Sequence, residues 1–111
     1  MHIQPSDALA SLNDSPKEFI ELFQHGSLTV EVYKPEMTDE QTPHDRDEIY
    51  VVITGSGKFV HGNRTIEFKA GDFLFVPAGI EHRFINFTSD FSTWVFFYGP
   101  HGGEALEKIS P

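Results

Sequence analysis

Short apolar segments separated by glycine and proline are the feature of this chain that most restricts its fold. From Leu28 onward apolar and polar side chains alternate with a period of two, and the pattern predicts strands over 28–33, 48–54, 58–61, 65–68, 73–76, 82–86 and 91–98. Short strands that recur about every 8–12 residues and are joined by glycine turns are typical of an all-β sandwich or barrel. The sequence therefore predicts an all-β fold.

Two segments before residue 28 have helical character. The run from Ser15 to Glu18 has the pattern of a helix start, with a serine N-cap, a proline in the first turn and an acidic residue three positions after the cap. An apolar face follows over 19–23, and Gly26 would end this helix. Residues 5–12 are predicted to form either another short helix or a flexible arm.

The length and the charge of the chain limit its domain count and its partners. At 111 residues it is predicted to be one domain, with an N-terminal arm and short helix over 1–27, a β-barrel over 28–98 and a tail over 99–111. Its 17 acidic and 8 basic residues give a formal net charge of −9. This charge disfavours binding to nucleic acid or to an anionic membrane.

Some residue types and segments are missing from the sequence. There is no cysteine, so that a metal site would have to use nitrogen and oxygen ligands. No apolar run reaches the roughly 18 residues of a transmembrane helix, and residues 1–10 lack the basic start and apolar stretch of a signal peptide. The cytoplasm is therefore the predicted location.

Two histidines and a glutamate beside predicted turns are candidate metal ligands. His82 follows the turn at 77–79, and His44 and Glu48 flank the turn-forming residues 45–47. On one straight strand the Cα atoms of His44 and Glu48 would lie about 13 Å apart, too far to share an ion at bond lengths of about 2.0–2.2 Å. We therefore expect a hairpin loop at 45–47, with His44 ending one strand and Glu48 beginning the next.

The chemical type of these three ligands narrows the identity of the metal but does not fix it. Two imidazoles and one carboxylate, with open positions on the ion, suit Fe(II) and oxygen chemistry. Zinc, nickel, manganese and cobalt accept the same nitrogen and oxygen ligands. A barrel that holds no metal, with its histidines in ordinary surface or core positions, is the alternative.

The second half of the chain resembles the cupin superfamily. The second motif of that family is glycine, five residues, proline, one residue, glycine, two residues, histidine, three residues and asparagine. Gly71, Pro77, Gly79, His82 and Asn86 match it at every fixed position.

The first motif of the family is matched as well. It ends in histidine, three or four residues, glutamate, six residues and glycine, and His44, Glu48 and Gly55 fit it. The resemblance covers roughly residues 28–98. It implies a double-stranded β-helix, or jelly-roll barrel, with a divalent metal (Fe, Mn, Ni, Zn or Co) bound by His44, Glu48 and His82.

The sequence departs from the family pattern at one position. The family normally has another histidine two residues before the one that matches His44, and this chain has Thr42 there. Gln41 or Thr42 would be a possible additional oxygen ligand, or water would complete the coordination. We expect weaker metal binding as a result.

The family resemblance and the ligand set support several functions. One is a metal-dependent enzyme that acts on a small oxygen-rich molecule, with dioxygenase as the leading reaction and isomerase behind it; the other is a barrel that binds a small molecule without chemistry. Cupins of this size are commonly dimers, so a homodimer is expected. The side chains predicted to line the pocket are aromatic: Tyr50, Phe84, Trp94 and Phe96.

Overall fold

A computed structural model of the chain describes residues 1–39 and 42–105. These residues form one helix followed by eight strands. The elements are α1 (Pro5–Asn13), β1 (Phe19–His25), β2 (Leu28–Tyr33), β3 (Asp47–Thr54), β4 (Ser56–His61), β5 (Arg64–Lys69), β6 (Phe73–Val76), β7 (His82–Ile85) and β8 (Ser92–Tyr98). Each strand predicted between residues 28 and 98 is present, with bounds that differ by at most two residues.

The strands form two antiparallel sheets that face each other. The five-stranded sheet has the order β1-β2-β8-β3-β6, and the three-stranded sheet has the order β5-β4-β7. Each sheet contains one pair of consecutive strands, β1 with β2 and β4 with β5, and also joins strands that are far apart in the sequence, such as β2 with β8 and β4 with β7. This arrangement confirms the predicted all-β barrel with a short N-terminal helix, a double-stranded β-helix.

The predicted helix over 16–26 is wrong, because this segment contains strand β1. The Ser15 hydroxyl oxygen accepts a hydrogen bond from the Lys17 amide at 3.1 Å and closes a tight turn instead of capping a helix. Gly26, with φ of +59°, lies in the two-residue turn between His25 and Leu28. Pairing with β2 and burial beside α1 therefore outweigh the local helix signal.

Helix α1 lies over the outer face of the five-stranded sheet. Proline in its first turn and a reciprocal pairing of Gln4 with Asp7 begin the helix. Ala8 and Leu12 are its buried residues, and they pack with Val32 of β2. The N-terminal segment thus forms a helix rather than an arm, and it covers part of the apolar sheet.

The main core lies between the two sheets and consists largely of aromatic rings. Its buried residues are Tyr33, Tyr50, Val52, Phe59, Phe68, Leu74, Val76, Phe84, Phe91 and Val95. The rings meet at tilted or edge-to-face angles, as in Phe84 with Phe91 at 4.6 Å between centroids. Among the residues described, no helix is long and apolar enough to cross a membrane.

Candidate metal centre

His44, Glu48 and His82 lie together at one end of the barrel. His44 precedes β3, Glu48 is the second residue of β3, and His82 is the first residue of β7. One potential ligand atom of each side chain lies within 4.8 Å of those of the other two. Since β3 and β7 belong to different sheets, the cluster joins the two halves of the barrel.

The backbone around His44 is a loop and not the strand end that we expected. Residues 42–44 have no regular secondary structure, and β3 begins at Asp47. The His44 carbonyl accepts a hydrogen bond from the Gly79 amide at 2.6 Å, which ties this loop to the turn that precedes His82. The His44 ring packs edge-on against Phe97, with 4.8 Å between ring centroids. The predicted hairpin over 45–47 is therefore wrong, because no strand precedes Asp47 in this loop. The hydrogen bond from Gly79, in the turn at 77–79, positions His44 instead.

Asp47 anchors the same loop from inside the protein. The Asp47 side chain is only 3% exposed, although it is acidic. Its carboxylate accepts hydrogen bonds from the backbone amides of Ala78 at 3.0 Å and Glu104 at 2.9 Å. The loop that carries His44 is thereby fixed to two other segments of the chain.

Glu48 is a buried carboxylate whose neighbours are imidazoles. Its side chain is 1% exposed, and neither carboxylate oxygen accepts a hydrogen bond from the residues that the structure describes. Oε1 lies 2.9 Å from Nε2 of His82 and 3.9 Å from Nε2 of His44. A buried carboxylate without hydrogen bonds is costly unless a positive charge lies beside it.

The contact of Nδ1 of His82 with a backbone carbonyl fixes the tautomer of the ring, and Nε2 is the atom that faces Glu48. Nδ1 lies 2.9 Å from the Ile80 carbonyl oxygen, which can only accept, so that Nδ1 carries a proton. Nε2 then presents its lone pair to the cluster in the neutral ring and can also accept from the Tyr50 hydroxyl at 3.1 Å. A histidine that binds metal through one nitrogen usually donates from the other to a carbonyl or carboxylate in this way.

The surroundings of His82 also favour its protonated form. Burial lowers the pKa of His82, but the Glu48 carboxylate 2.9 Å from Nε2, the hydrogen bond from Nδ1 to the Ile80 carbonyl and the charge of Asp39 outweigh it. The pKa of His82 therefore lies above its ordinary value. A proton on Nε2 supplies the positive charge beside Glu48 that a metal ion would supply in its place.

The donor set fits a divalent metal ion. The buried Glu48 carboxylate, which accepts no hydrogen bond from the described residues, lies 2.9 Å from Nε2 of His82, and the Ile80 carbonyl holds that imidazole in the tautomer that a metal requires. His44 provides a third donor, with its Nε2 3.9 Å from Oε1 of Glu48. Iron, manganese, nickel, zinc and cobalt all accept this combination of ligands.

Of the two additional ligands proposed from the sequence, only Thr42 lies within the described residues. Its side chain is exposed, whereas Glu48 and His82 are buried. Gln41 lies outside the residues described. The ligand set that the structure brings together is therefore two histidines and one glutamate.

The four aromatic residues predicted to line the pocket separate into two groups. Tyr50 is buried and touches His82, and Phe84 packs behind Tyr50 with 4.9 Å between ring centroids. Trp94 and Phe96 lie instead on the outer face of β8, where they border an apolar depression near Ile3. The prediction for these two residues is wrong, because alternation along β8 turns Val95 and Phe97 toward the cavity and Trp94 and Phe96 away from it.

A cavity of about 320 Å³ opens beside the cluster. Its lining consists of Phe19, Glu31, Tyr33, His44, Glu48, Val95 and Phe97. A larger open groove of about 560 Å³ runs past Lys58 and Lys69 on the three-stranded sheet and contains none of the three candidate ligands. The smaller cavity is therefore the one that a molecule bound at the cluster would occupy.

Glu31 is the main residue of the site that the sequence analysis missed. It lies on the inward face of β2, and burial and the negative charges of Glu21 and Glu48 raise its pKa. The sequence pattern had suggested that the apolar residues of β2 face the core. In the structure Val32 packs against α1, which leaves Glu31 and Tyr33 facing the cavity.

The other histidines differ in their surroundings. His61 pairs with His82 across β4 and β7, and its Nε2 is buried without a hydrogen-bond partner among the described residues. Burial and the charges of His82 and Arg64 lower the pKa of His61. His101 is exposed and contacts Asp45 at 2.6 Å.

Comparisons with known proteins agree with this architecture. The family model described as "Cupin domain" matches residues 29–98. An uncharacterized protein of Streptomyces coelicolor is 30% identical over 84 residues, which cover 74% of this chain and 80% of that protein. Two solved structures share the fold: a cupin-2 domain containing protein from Shewanella frigidimarina (TM-score 0.70, 18% identity, 87% of this chain and 94% of that chain) and a Cupin 2 conserved barrel domain protein from Salinispora arenicola (TM-score 0.68, 19% identity, 89% of each chain).

Proposed function

This chain belongs to the cupin family, and we propose that its barrel binds a divalent metal ion through His44, Glu48 and His82 and presents that ion to a small oxygen-rich molecule. The observation that carries the proposal is the buried Glu48 carboxylate, which has two imidazoles beside it and no hydrogen bond from the described residues. The cavity of about 320 Å³ next to it has room for such a molecule.

Dioxygenation is the reaction that this ligand set supports best. Two histidines and one carboxylate leave open positions on the ion, and a metal held in this way supplies a site where an oxygen-rich substrate and O2 can bind side by side. The protein's own residues hold the ligands in place through the Ile80 carbonyl and the Gly79 amide. Val95 and Phe97 contribute apolar surface to the cavity beside the site.

A barrel that binds a small molecule without chemistry is the second candidate. Thr42 favours it, because this exposed threonine stands where the family normally has an additional histidine ligand. Three protein ligands bind a metal less tightly than four. A metal-dependent isomerase would use the same site as a Lewis acid and would need no O2.

Metal content tests the proposed site directly. The protein is purified without an affinity tag, loaded with one metal at a time, and analysed for bound metal by mass spectrometry. We expect about one equivalent in the native protein and a loss of at least about tenfold in affinity for His82→Ala and Glu48→Gln. His101→Ala, which removes an exposed histidine, is the control and should keep the metal.

The outcomes of this experiment separate the possibilities. A folded native protein that takes up none of the five metals would overturn the proposed site. Retention of the metal in both variants would do the same. Circular dichroism of each variant shows whether a loss of metal reflects loss of the ligand or loss of the fold.

Oxygen consumption distinguishes the dioxygenase from the binding protein. The Fe(II)-loaded protein is mixed with phenolic and diketone compounds, and O2 uptake is followed with an electrode. Uptake that requires both the iron and an organic substrate supports the dioxygenase. Binding of the same compounds without O2 uptake or product supports the binding barrel.

We further propose that the chain forms a homodimer through the outer face of its five-stranded sheet. Phe96, Ile49 and Phe75 form one apolar row across β8, β3 and β6. Trp94, Val51 and Phe73 form a second row, in which Phe73 is 64% exposed. Neither row contains a charged residue, so a second copy can pack there by two-fold symmetry without burying a charge.

Light scattering after size-exclusion chromatography measures the oligomeric state. We expect a dimer for the native chain and a monomer for Phe73→Glu. Ile66→Glu changes an exposed apolar residue on the other sheet and should leave the dimer intact. A native monomer at micromolar concentration, or a dimer in both variants, would contradict this interface.

A further inference from the structure

Glu31 faces the same cavity as the candidate metal ligands but is not one of them. It lies on β2, where it pairs with Val95 of β8 and with Glu21 of β1. It lines the cavity together with His44 and Glu48, yet it is absent from the group whose ligand atoms lie within 4.8 Å of one another. Its carboxylate is thus available to a molecule that occupies the cavity beside the ion.

The charges around Glu31 are unfavourable to its ionised form. Burial is the largest of the effects that raise the pKa of Glu31, and the negative charges of Glu21 and Glu48 add to it. No lysine or arginine belongs to the cavity lining given by the described residues. Glu31 forms no ion pair with a lysine, arginine or histidine among the described residues. A half-buried carboxylate in such surroundings costs stability, and residues that cost stability are often retained for binding.

We propose that Glu31 selects the ligand of this cavity by accepting a hydrogen bond from a hydroxyl or ammonium group, and that a ligand with an anionic group at this position is rejected. The proposal rests on the proposed function, in which the ion binds the oxygen atoms at the other end of the same molecule. A cation or a hydrogen-bond donor next to Glu31 would satisfy its carboxylate, whereas a ligand carboxylate at this position would place a second negative charge beside Glu31.

The remaining lining describes the rest of the ligand. Val95 and Phe97 belong to β8, which lies between β2 with Glu31 and β3 with Glu48, and Phe19 of β1 adds apolar surface to the same cavity. The expected ligand therefore has metal-binding oxygens at one end, an apolar middle such as an aromatic ring, and a hydrogen-bond donor or positive charge at the other end. A cavity of about 320 Å³ limits it to a small molecule.

Three catechols that differ in one substituent test this selection. Catechol, dopamine and 3,4-dihydroxybenzoate share the same metal-binding oxygens. At the position that differs, catechol has only hydrogen, dopamine has a cationic aminoethyl group and 3,4-dihydroxybenzoate has an anionic carboxylate. Their affinities for the Co(II)-loaded protein are measured without O2 by titration calorimetry. We expect dopamine to bind at least about tenfold more tightly than 3,4-dihydroxybenzoate, and we expect this ratio to fall to about two or less in Glu31→Gln.

Glu21→Gln is the matched control. It removes the same charge from the residue paired with Glu31, but Glu21 is exposed and does not line the cavity. This variant should keep most of the selectivity. Equal effects of the two substitutions would mean that general acidity, and not contact with Glu31, discriminates between the probes, and would overturn the proposal.

The metal content of Glu31→Gln separates this proposal from the proposed function. We expect the variant to retain about one equivalent of cobalt, because Glu31 lies outside the cluster. Loss of the metal would show that Glu31 is a ligand, and would also overturn the proposal. A native protein that binds cobalt but does not discriminate among the three catechols refutes the selection by Glu31 and leaves the metal site standing.

Discussion

Two glutamates that face one cavity have opposite electrostatic surroundings. Glu48 has the imidazoles of His44 and His82 beside it, so that a proton or a metal ion balances its charge. Glu31 has Glu21 and Glu48 as its charged neighbours. The first arrangement holds a cation in place, and the second leaves a negative charge for a ligand to satisfy.

Glu31→Gln should stabilise the protein at neutral pH. The pKa of Glu31 is raised, so the folded state binds the Glu31 proton more tightly than the unfolded state does. The free energy of unfolding therefore falls as the pH rises above the unfolded pKa of about 4.3 and Glu31 becomes ionised. We expect an increase in Tm of about 1–4 °C at pH 7, since solvent screens part of the repulsion, and no difference near pH 4. Thermal unfolding of both proteins at the two pH values measures this. An unchanged or lower Tm at pH 7 would contradict it.

Metal binding should weaken as the pH falls, because a proton competes for Nε2 of His82. The pKa of His82 lies above its ordinary value, so that competition begins at a higher pH than for a free histidine. Below that pKa the apparent affinity should fall about tenfold per pH unit for each proton displaced. Calorimetric titration with Zn(II) or Co(II) between about pH 8.5 and 5.5 tests this dependence. An affinity that stays constant down to about pH 6 would exclude His82 as a ligand.

Gly55 connects the two sheets at the level of the elements. β3 in the five-stranded sheet ends at Thr54, and β4 in the three-stranded sheet begins at Ser56. Gly55 has φ of +87°, and a Cβ atom there would lie 2.6 Å from Cα of Phe91. The glycine of the first sequence motif thus allows the chain to change sheets against a close neighbouring backbone.

Gly55→Ala should therefore be strongly destabilising. Both the positive φ and the contact with Phe91 oppose a side chain, and we expect a loss of at least about 2 kcal/mol in the free energy of unfolding. Gly62→Ala is the control, since Gly62 also has positive φ but nothing lies within 4 Å of the added Cβ. Urea denaturation of both variants gives the comparison. Equal losses would show that the backbone angle alone explains the glycine.

A metal ion at the cluster would tie the two halves of the whole molecule together. Glu48 belongs to the five-stranded sheet, and His82 belongs to the three-stranded sheet. The loop with His44 is fixed in turn to the segment before His82. Because the ligands are close together only in the folded barrel, the metal should bind the folded state in preference to the unfolded state.

Metal removal should lower the Tm of the native chain. A metal present at about 100 times its Kd stabilises the folded state by about 2.7 kcal/mol, which corresponds to roughly 10 °C or more for a domain of this size. Scanning calorimetry before and after treatment with EDTA measures the difference. Glu48→Gln should show almost no response to EDTA, and a response equal to that of the native chain would place the stabilising ion elsewhere.

The sequence alone determined the fold class and identified the residues that the structure brings to one point. Periodicity, glycine turns and two motifs depend on local chemistry, which each segment carries by itself. The tertiary structure decided that 19–25 is a strand, that His44 lies in a loop tied to Gly79, and that Glu31 and Phe97 face the cavity while Trp94 and Phe96 do not. These features could not be predicted because a strand can bury either face, and only the position of α1 and the second sheet determines which one faces the cavity.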